Sequence, residues 1–153
     1  MSEQHEDVPE PAADDERETA YELLQRGHDL LTQRHFAQAA VVLERADRDE
    51  PGKASILEAL GRAYYNSGQH ERSRATFADL LELDPSAHYG HFAVGQSLKR
   101  LGRTEEARIH LKLAVALSPG SAVYRGALVR LGPAPEPAPP TEGRSFEAPS
   151  PGD

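Results

Sequence analysis

The chain has 153 residues, of which 38% are hydrophobic and 27% charged, with no cysteine, no tryptophan and a single methionine. That is the length of one ordinary domain with a modest core, and without cysteine there is no disulfide, no thiolate metal site and no cysteine nucleophile. The formal net charge of -8 is concentrated at the ends, with -7 in residues 1–19, -3 in 132–153 and +2 between them, so the body offers no basic face for nucleic acid.

Residues 1–13 are acidic and carry Pro9 and Pro11, which predicts a disordered segment that cannot bury enough apolar surface to order itself. The acids crowded before Arg17 also leave no room for the basic start and apolar run of a signal peptide. No later stretch has the apolar length of a membrane span, so the expectation is a soluble, cytoplasmic protein with no membrane partner.

From residue 20 onward the sequence repeats itself every 34 residues. Gly27, Gly61 and Gly95 are in register, as are Pro51, Pro85 and Pro119, the apolar Leu43, Phe77 and Leu111, and the small Ala39, Ser73 and Ala107. Three uninterrupted units follow, 20–53, 54–87 and 88–121. Each predicts two helices. In 54–67, Ile56, Leu57, Leu60, Ala63 and Tyr64 recur at three- and four-residue steps on one face. Asn66-Ser67-Gly68 then breaks the helix, with Gly68 suited to a left-handed cap. In 71–83, Phe77, Leu80 and Leu81 mark the second helix, and Pro85 stops it. The third unit repeats the plan, with a turn at Leu101-Gly102 and a stop at Ser118-Pro119. There Thr104 is expected to cap the second helix, with Glu105 and Glu106 in its first turn. The in-register glycines predict close helix crossings, with Ala39, Ser73 and Ala107 as the small residues facing them.

Residues 122–131 look like the first helix of a fourth unit. They predict a short capping helix over the last apolar face, with Tyr124, Leu128 and Leu131 inward, Arg125 and Arg130 outward, and Val123 and Val129 uncovered. The folded domain is expected over 14–131. Residues 132–153 hold seven of the twelve prolines and read as a disordered, stiff, solvated tail.

The middle unit, with Leu60-Gly61, Ala63-Tyr64-Tyr65, Gly68, Phe77 and Leu81-Glu82-Leu83-Asp84-Pro85, resembles the tetratricopeptide repeat family. The resemblance spans residues 20–121, and departs from the family pattern at Arg26, at Arg34 in place of the turn glycine, and at Leu80. It implies an all-α solenoid of three tandem helix-turn-helix repeats with a short C-terminal capping helix. Stacked antiparallel helix pairs would wind into a right-handed superhelix with a concave groove. The function implied is a free-standing, non-catalytic adaptor or scaffold of bacterial type that binds a protein or peptide. A structural role, with self-association through the cap helix, is the alternative.

In that family the first helix of each unit lines the groove. The matching residues here are Tyr21, Leu24, His28 and Leu31 from the first unit and Glu58, Arg62, Tyr65 and Asn66 from the second. Tyr89, Phe92, Gln96, Lys99 and Arg100 come from the third. Tyrosine and arginine carry much interface energy, and Asn66 and Gln96 can pair with an extended backbone, so the expected ligand is a short segment with apolar residues and a carboxylate. At the positions where members that bind chaperone C-termini place Lys and Asn, this chain has Leu24, His28, Ala59, Tyr89 and Ala93. None of these clamps a carboxylate by charge at neutral pH.

No catalytic constellation emerges. Of the seven histidines, only His88 and His91 share a helical ligand spacing, and no acid stands one turn on to complete a metal set. Phosphate-loop, Gly-x-Ser-x-Gly and His-Glu-x-x-His motifs are missing, so no cofactor and no metal are expected.

Overall fold

Seven helices and no strand make up residues 17–140, the part of the chain that this computed structural model describes. They are α1 (Ala20–Thr32), α2 (Phe36–Asp49), α3 (Ala54–Asn66), α4 (His70–Leu83), α5 (His88–Arg100), α6 (Thr104–Leu117) and α7 (Ala122–Arg130). Each helix packs against the next in sequence, and α1 also meets α3, which makes the chain an all-α solenoid of three helix pairs and a final helix. Residues 1–13, expected to be disordered, lie outside the described residues, as does 141–153. Residues 133–140 are exposed and have no regular secondary structure.

Local chemistry sets the helix ends. Thr19 accepts from the Glu22 amide at 3.2 Å while the Glu22 carboxylate accepts from the Thr19 amide at 2.9 Å, a capping box that satisfies two otherwise orphaned donors. The turn inside each pair needs one left-handed residue, supplied by Arg34 (φ 63°), Gly68 (φ 81°) and Gly102 (φ 77°). Thr104 does not cap α6. The turn at Gly102 brings the Arg103 carbonyl to the Ala107 amide at 3.0 Å, so Arg103 holds the cap position without a side-chain bond and Thr104 is already helical. For the same reason α4 starts at His70, one residue before the expected place.

The glycines lie where the paired helices cross, and they face large residues. A Cβ on Gly27 would come within 2.4 Å of the Leu43 side chain, one on Gly61 within 2.6 Å of the Phe77 ring, and one on Gly95 within 2.9 Å of Leu111. The small residues do face the glycines, with the Ala107 carbonyl 3.3 Å from a Cβ on Gly95, but a large side chain shares the place with each. The large side chain fills the space above the glycine, and the small residue lies beside it on the second helix. There Ser73 uses its hydroxyl to donate to the Gly61 carbonyl at 2.9 Å. Burying a leucine or phenylalanine this completely contributes about 1.5–3 kcal/mol, against a cost of about 0.5–1 kcal/mol for glycine inside a helix. Burial wins. Between units, the Tyr64 hydroxyl on α3 donates to the Glu44 carboxylate on α2 at 2.7 Å.

The last helix ends the stack. Tyr124 and Ala127 are buried and Leu128 and Leu131 half-buried, whereas Val123, Arg125, Val129 and Arg130 are exposed. Thirty-four residues after Gly95 and His91 stand Val129 and Arg125. A second helix could not cross Val129 as closely as it crosses the glycines, and Arg125 would be buried beneath it. Val129 is instead 78% exposed.

Candidate ligand groove

Helices α3 and α5 lie on one side of the stack, each with its core stripe turned inward. The residues one step around from those stripes, Arg62, Tyr65 and Asn66 on α3 and Tyr89, Phe92 and Gln96 on α5, recur at three- and four-residue steps and so share a face. They converge on a cleft of about 190 Å³, whose lining is completed by Phe77 and Ala93. Phe77 is absent from the sequence-derived set because it reads as core, and Ala93 because at its clamp position it has no polar group to offer a ligand. Phe77 does serve the core, but its ring also forms part of the cleft wall, and Ala93 is small enough to leave the space open.

The wall is a chain of aromatic contacts. Phe77 meets Tyr89 edge-on at 5.8 Å, Tyr89 meets Phe92 at 6.3 Å, and Phe92 stacks on Tyr124 of α7 at 4.9 Å. Such pairs hold each other's rotamers, so the capping helix braces the cleft. Tyr124 is fixed in turn by His88, whose Nδ1 lies 2.7 Å from its hydroxyl. Burial pushes the Tyr89 phenol upward, with Arg62 opposing it, and burial also raises Tyr124. Both phenols are therefore neutral in ordinary buffers and have no role as bases. At the rim, the Arg100 guanidinium sits 6.0 Å from the Tyr65 ring centre and donates to the Tyr65 hydroxyl at 3.3 Å. Among the described residues, Arg62, Lys99 and Arg100 make no ion pair. Asn66 donates its amide to the Arg62 carbonyl at 2.9 Å, and Gln96 Oε1 has no hydrogen-bond partner.

The other residues expected in the groove are dispersed. Tyr21, which is 70% exposed, and Leu24 line a separate depression with Lys53, Ser55 and Ile56. His28 is half-buried, and Glu58, Lys99 and Arg100 are exposed outside the cleft lining. Leu31 is corrected from groove to core. The buried stripe of α1 runs Ala20, Leu23, Gly27, Leu31, and the step from Gly27 places Leu31 among Ala39, Ala40, Leu60 and Tyr64.

His88 and His91 do not converge. His88 turns to Tyr124, whereas His91 donates from Nε2 to the Pro85 carbonyl at 2.8 Å and stacks on His110 of α6, with the two Nδ1 atoms 3.2 Å apart. With Nε2 donating to the Pro85 carbonyl, the His91 Nδ1 is placed to accept from His110. Burial, followed by the proximity of His91, lowers the His110 pKa, while Glu106 acts in the opposite direction. Among the described residues no three His, Asp or Glu are grouped to hold a metal ion, and no helix is long and apolar enough to cross a membrane.

The family model for the tetratricopeptide repeat matches residues 24–88 and 58–122. The chain belongs to this family. Among solved structures, the fold is similar to the first TPR of Spaghetti (RPAP3) bound to an HSP90 peptide, with a TM-score of 0.70 and 16% identity over 74% of this chain and 90% of that one. It is similar also to MamA from Desulfovibrio magneticus (TM-score 0.73, 17% identity, 78% of this chain and 67% of that one). The Sgt2 TPR domain from Aspergillus fumigatus gives a TM-score of 0.68 at 16% identity, over 82% and 92%. In sequence, 55 residues are 38% identical to human protein O-mannosyl-transferase TMTC1, covering 36% of this chain and 6% of that protein. TPR domains are in general protein-interaction modules and non-catalytic scaffolds.

Proposed function

We propose that this TPR protein is a non-catalytic adaptor or scaffold whose α3–α5 cleft receives an extended peptide carrying an apolar side chain next to a carboxylate. One observation supports this most directly. A cleft walled by Tyr65, Tyr89 and Phe92 opens beside Arg62 and Arg100, two guanidinium groups that form no ion pair with a described residue. Aromatic walls favour an apolar anchor, and an arginine rim favours an anion. The RPAP3 domain of similar fold is bound to a peptide, which agrees with this role for the fold. The chaperone-type carboxylate clamp, however, has no counterpart at Leu24, His28, Ala59, Tyr89 and Ala93.

The test is affinity capture from lysate with the wild-type chain and with the Arg62→Ala/Tyr65→Ala/Arg100→Ala variant, read by mass spectrometry. Partners lost from the variant support the groove, and an identical partner set removes it.

The exposed Val123 and Val129 on α7 favour one other reading, self-association through the cap helix. Light scattering at tens of micromolar decides it. A monomer rules out self-association, and a dimer that Val129→Glu dissociates supports it.

A further inference from the structure

We infer that the ligand of the α3–α5 cleft is this chain's own proline-rich tail, with Phe146 seated among Tyr65, Tyr89 and Phe92. The inference rests on the cleft being a peptide-binding face and names its occupant.

Three observations converge. The first is position. The tail leaves the fold at Gly132 and Pro133, whose carbonyls accept from Arg108 at 2.6 and 3.2 Å. Arg108 lies near the start of α6, which follows Arg100 after one short turn. The tail therefore starts at the same end of the helix stack as Lys99 and Arg100. Residues 133–140 are exposed, and in an extended proline-rich form Phe146 reaches roughly 40 Å from Pro133, twice the length of a 13-residue helix at about 20 Å.

The second is charge. Residues 132–153 carry -3, and Glu147 follows Phe146 directly, with Arg144 and Glu142 upstream of it. The cleft rim offers Arg62 and Arg100, with Lys99 beside it.

The third is shape. Phe146 is the one aromatic residue beyond Gly132, and a cleft of about 190 Å³ has room for a phenyl ring, since an apolar cavity of about 150 Å³ takes benzene. Proline-rich segments are moreover bound by aromatic-lined grooves, because their stiff extended form loses little entropy on docking. The N-terminal segment is the rival acidic occupant. It has no aromatic side chain and joins the fold at α1, at the other end of the stack. A short tether raises the local concentration of the tail to the millimolar range, so modest contacts suffice for docking within one chain.

The experiment uses the full-length protein with the photoreactive p-benzoylphenylalanine in place of Phe146. Irradiation at low salt should give intramolecular cross-links to peptides containing Tyr65 or Tyr89–Gln96. Their yield should fall at least fivefold in the Arg62→Glu/Arg100→Glu background, whose folding is checked by circular dichroism. Cross-links scattered over the surface, unchanged by charge reversal, or formed mainly between chains overturn the inference. If such cross-links appear while the groove variant still loses captured partners, the cleft binds peptides but its occupant is not the tail. If the captured partners are also unchanged, the groove reading fails with it.

Discussion

The Phe77 ring lies over Gly61 so closely that a methyl group there would sit 2.6 Å from it. The same meeting recurs one unit earlier between Leu43 and Gly27 and one unit later between Leu111 and Gly95.

Gly61→Ala should therefore destabilise the protein, although alanine is the better helix former. Propensity favours the variant by roughly 0.5–1 kcal/mol, while overpacking a fully buried ring costs about 1–3 kcal/mol. The expected net loss is ~1–2 kcal/mol in urea unfolding. Gly120→Ala, which meets nothing within 4 Å, serves as the control and should be neutral or slightly stabilising. A Gly61→Ala protein as stable as wild type would remove the crossing from the account.

Arg34 holds the left-handed turn position that Gly68 and Gly102 occupy in the other units. A side chain in that conformation costs roughly 1–2 kcal/mol, offset in part by the lower backbone entropy of the unfolded arginine chain and by the contact of its guanidinium with the Phe36 ring at 5.8 Å. Arg34→Gly is expected to raise the urea midpoint modestly, and Arg34→Val to lower it. A midpoint lowered by Arg34→Gly would show that the Phe36 contact outweighs the strain.

Tyr64→Phe should separate the first two units energetically. The Tyr64 hydroxyl donates to Glu44, and burial together with that carboxylate pushes its pKa upward. Removing the hydroxyl leaves Glu44 with Arg72 at 4.0 Å, so the loss should be ~1–2 kcal/mol. Amide exchange in α1 and α2 should accelerate more than in α5 and α6. Uniform acceleration would show that the contact is not specific to that junction.

His110 makes stability depend on pH. Its folded pKa lies below the usual 6.5 because of burial and the neighbouring His91, with the Glu106 carboxylate partly opposing them. As pH falls through 6.5 the unfolded chain takes up the proton before the folded one does, so this contribution is present above 6.5 and is lost progressively below it. The urea midpoint should drop between pH 7.5 and 5, and His110→Gln should flatten that drop. An equal slope in both proteins would assign the effect to other groups.

Tyr124→Ala should loosen both the cap and the cleft. It removes a buried ring stacked on Phe92 and the partner of His88, at a cost of about 3 kcal/mol. Any peptide bound in the cleft should then dissociate faster, as measured by fluorescence anisotropy, whereas Tyr124→Phe should retain most of the affinity. If Tyr124→Ala binds with unchanged kinetics, α7 does not brace the wall.

The three helix pairs, their lengths and the crossing glycines were legible in the residues, because a 34-residue period with apolar steps of three and four constrains local structure directly. The resemblance to the tetratricopeptide repeat family then implied that Arg62, Tyr65, Asn66, Tyr89, Phe92 and Gln96 line one groove. Sequence alone could not place Leu31, since one helical step separates core from groove and only the packing of α1 on α2 and α3 fixes which side it takes. Nor could it pair His91 with His110, bring Phe77 into the cleft wall, or attach Arg108 to the base of the tail. Those contacts join residues on different helices, and the distance between them is set by how the stacked pairs settle against one another.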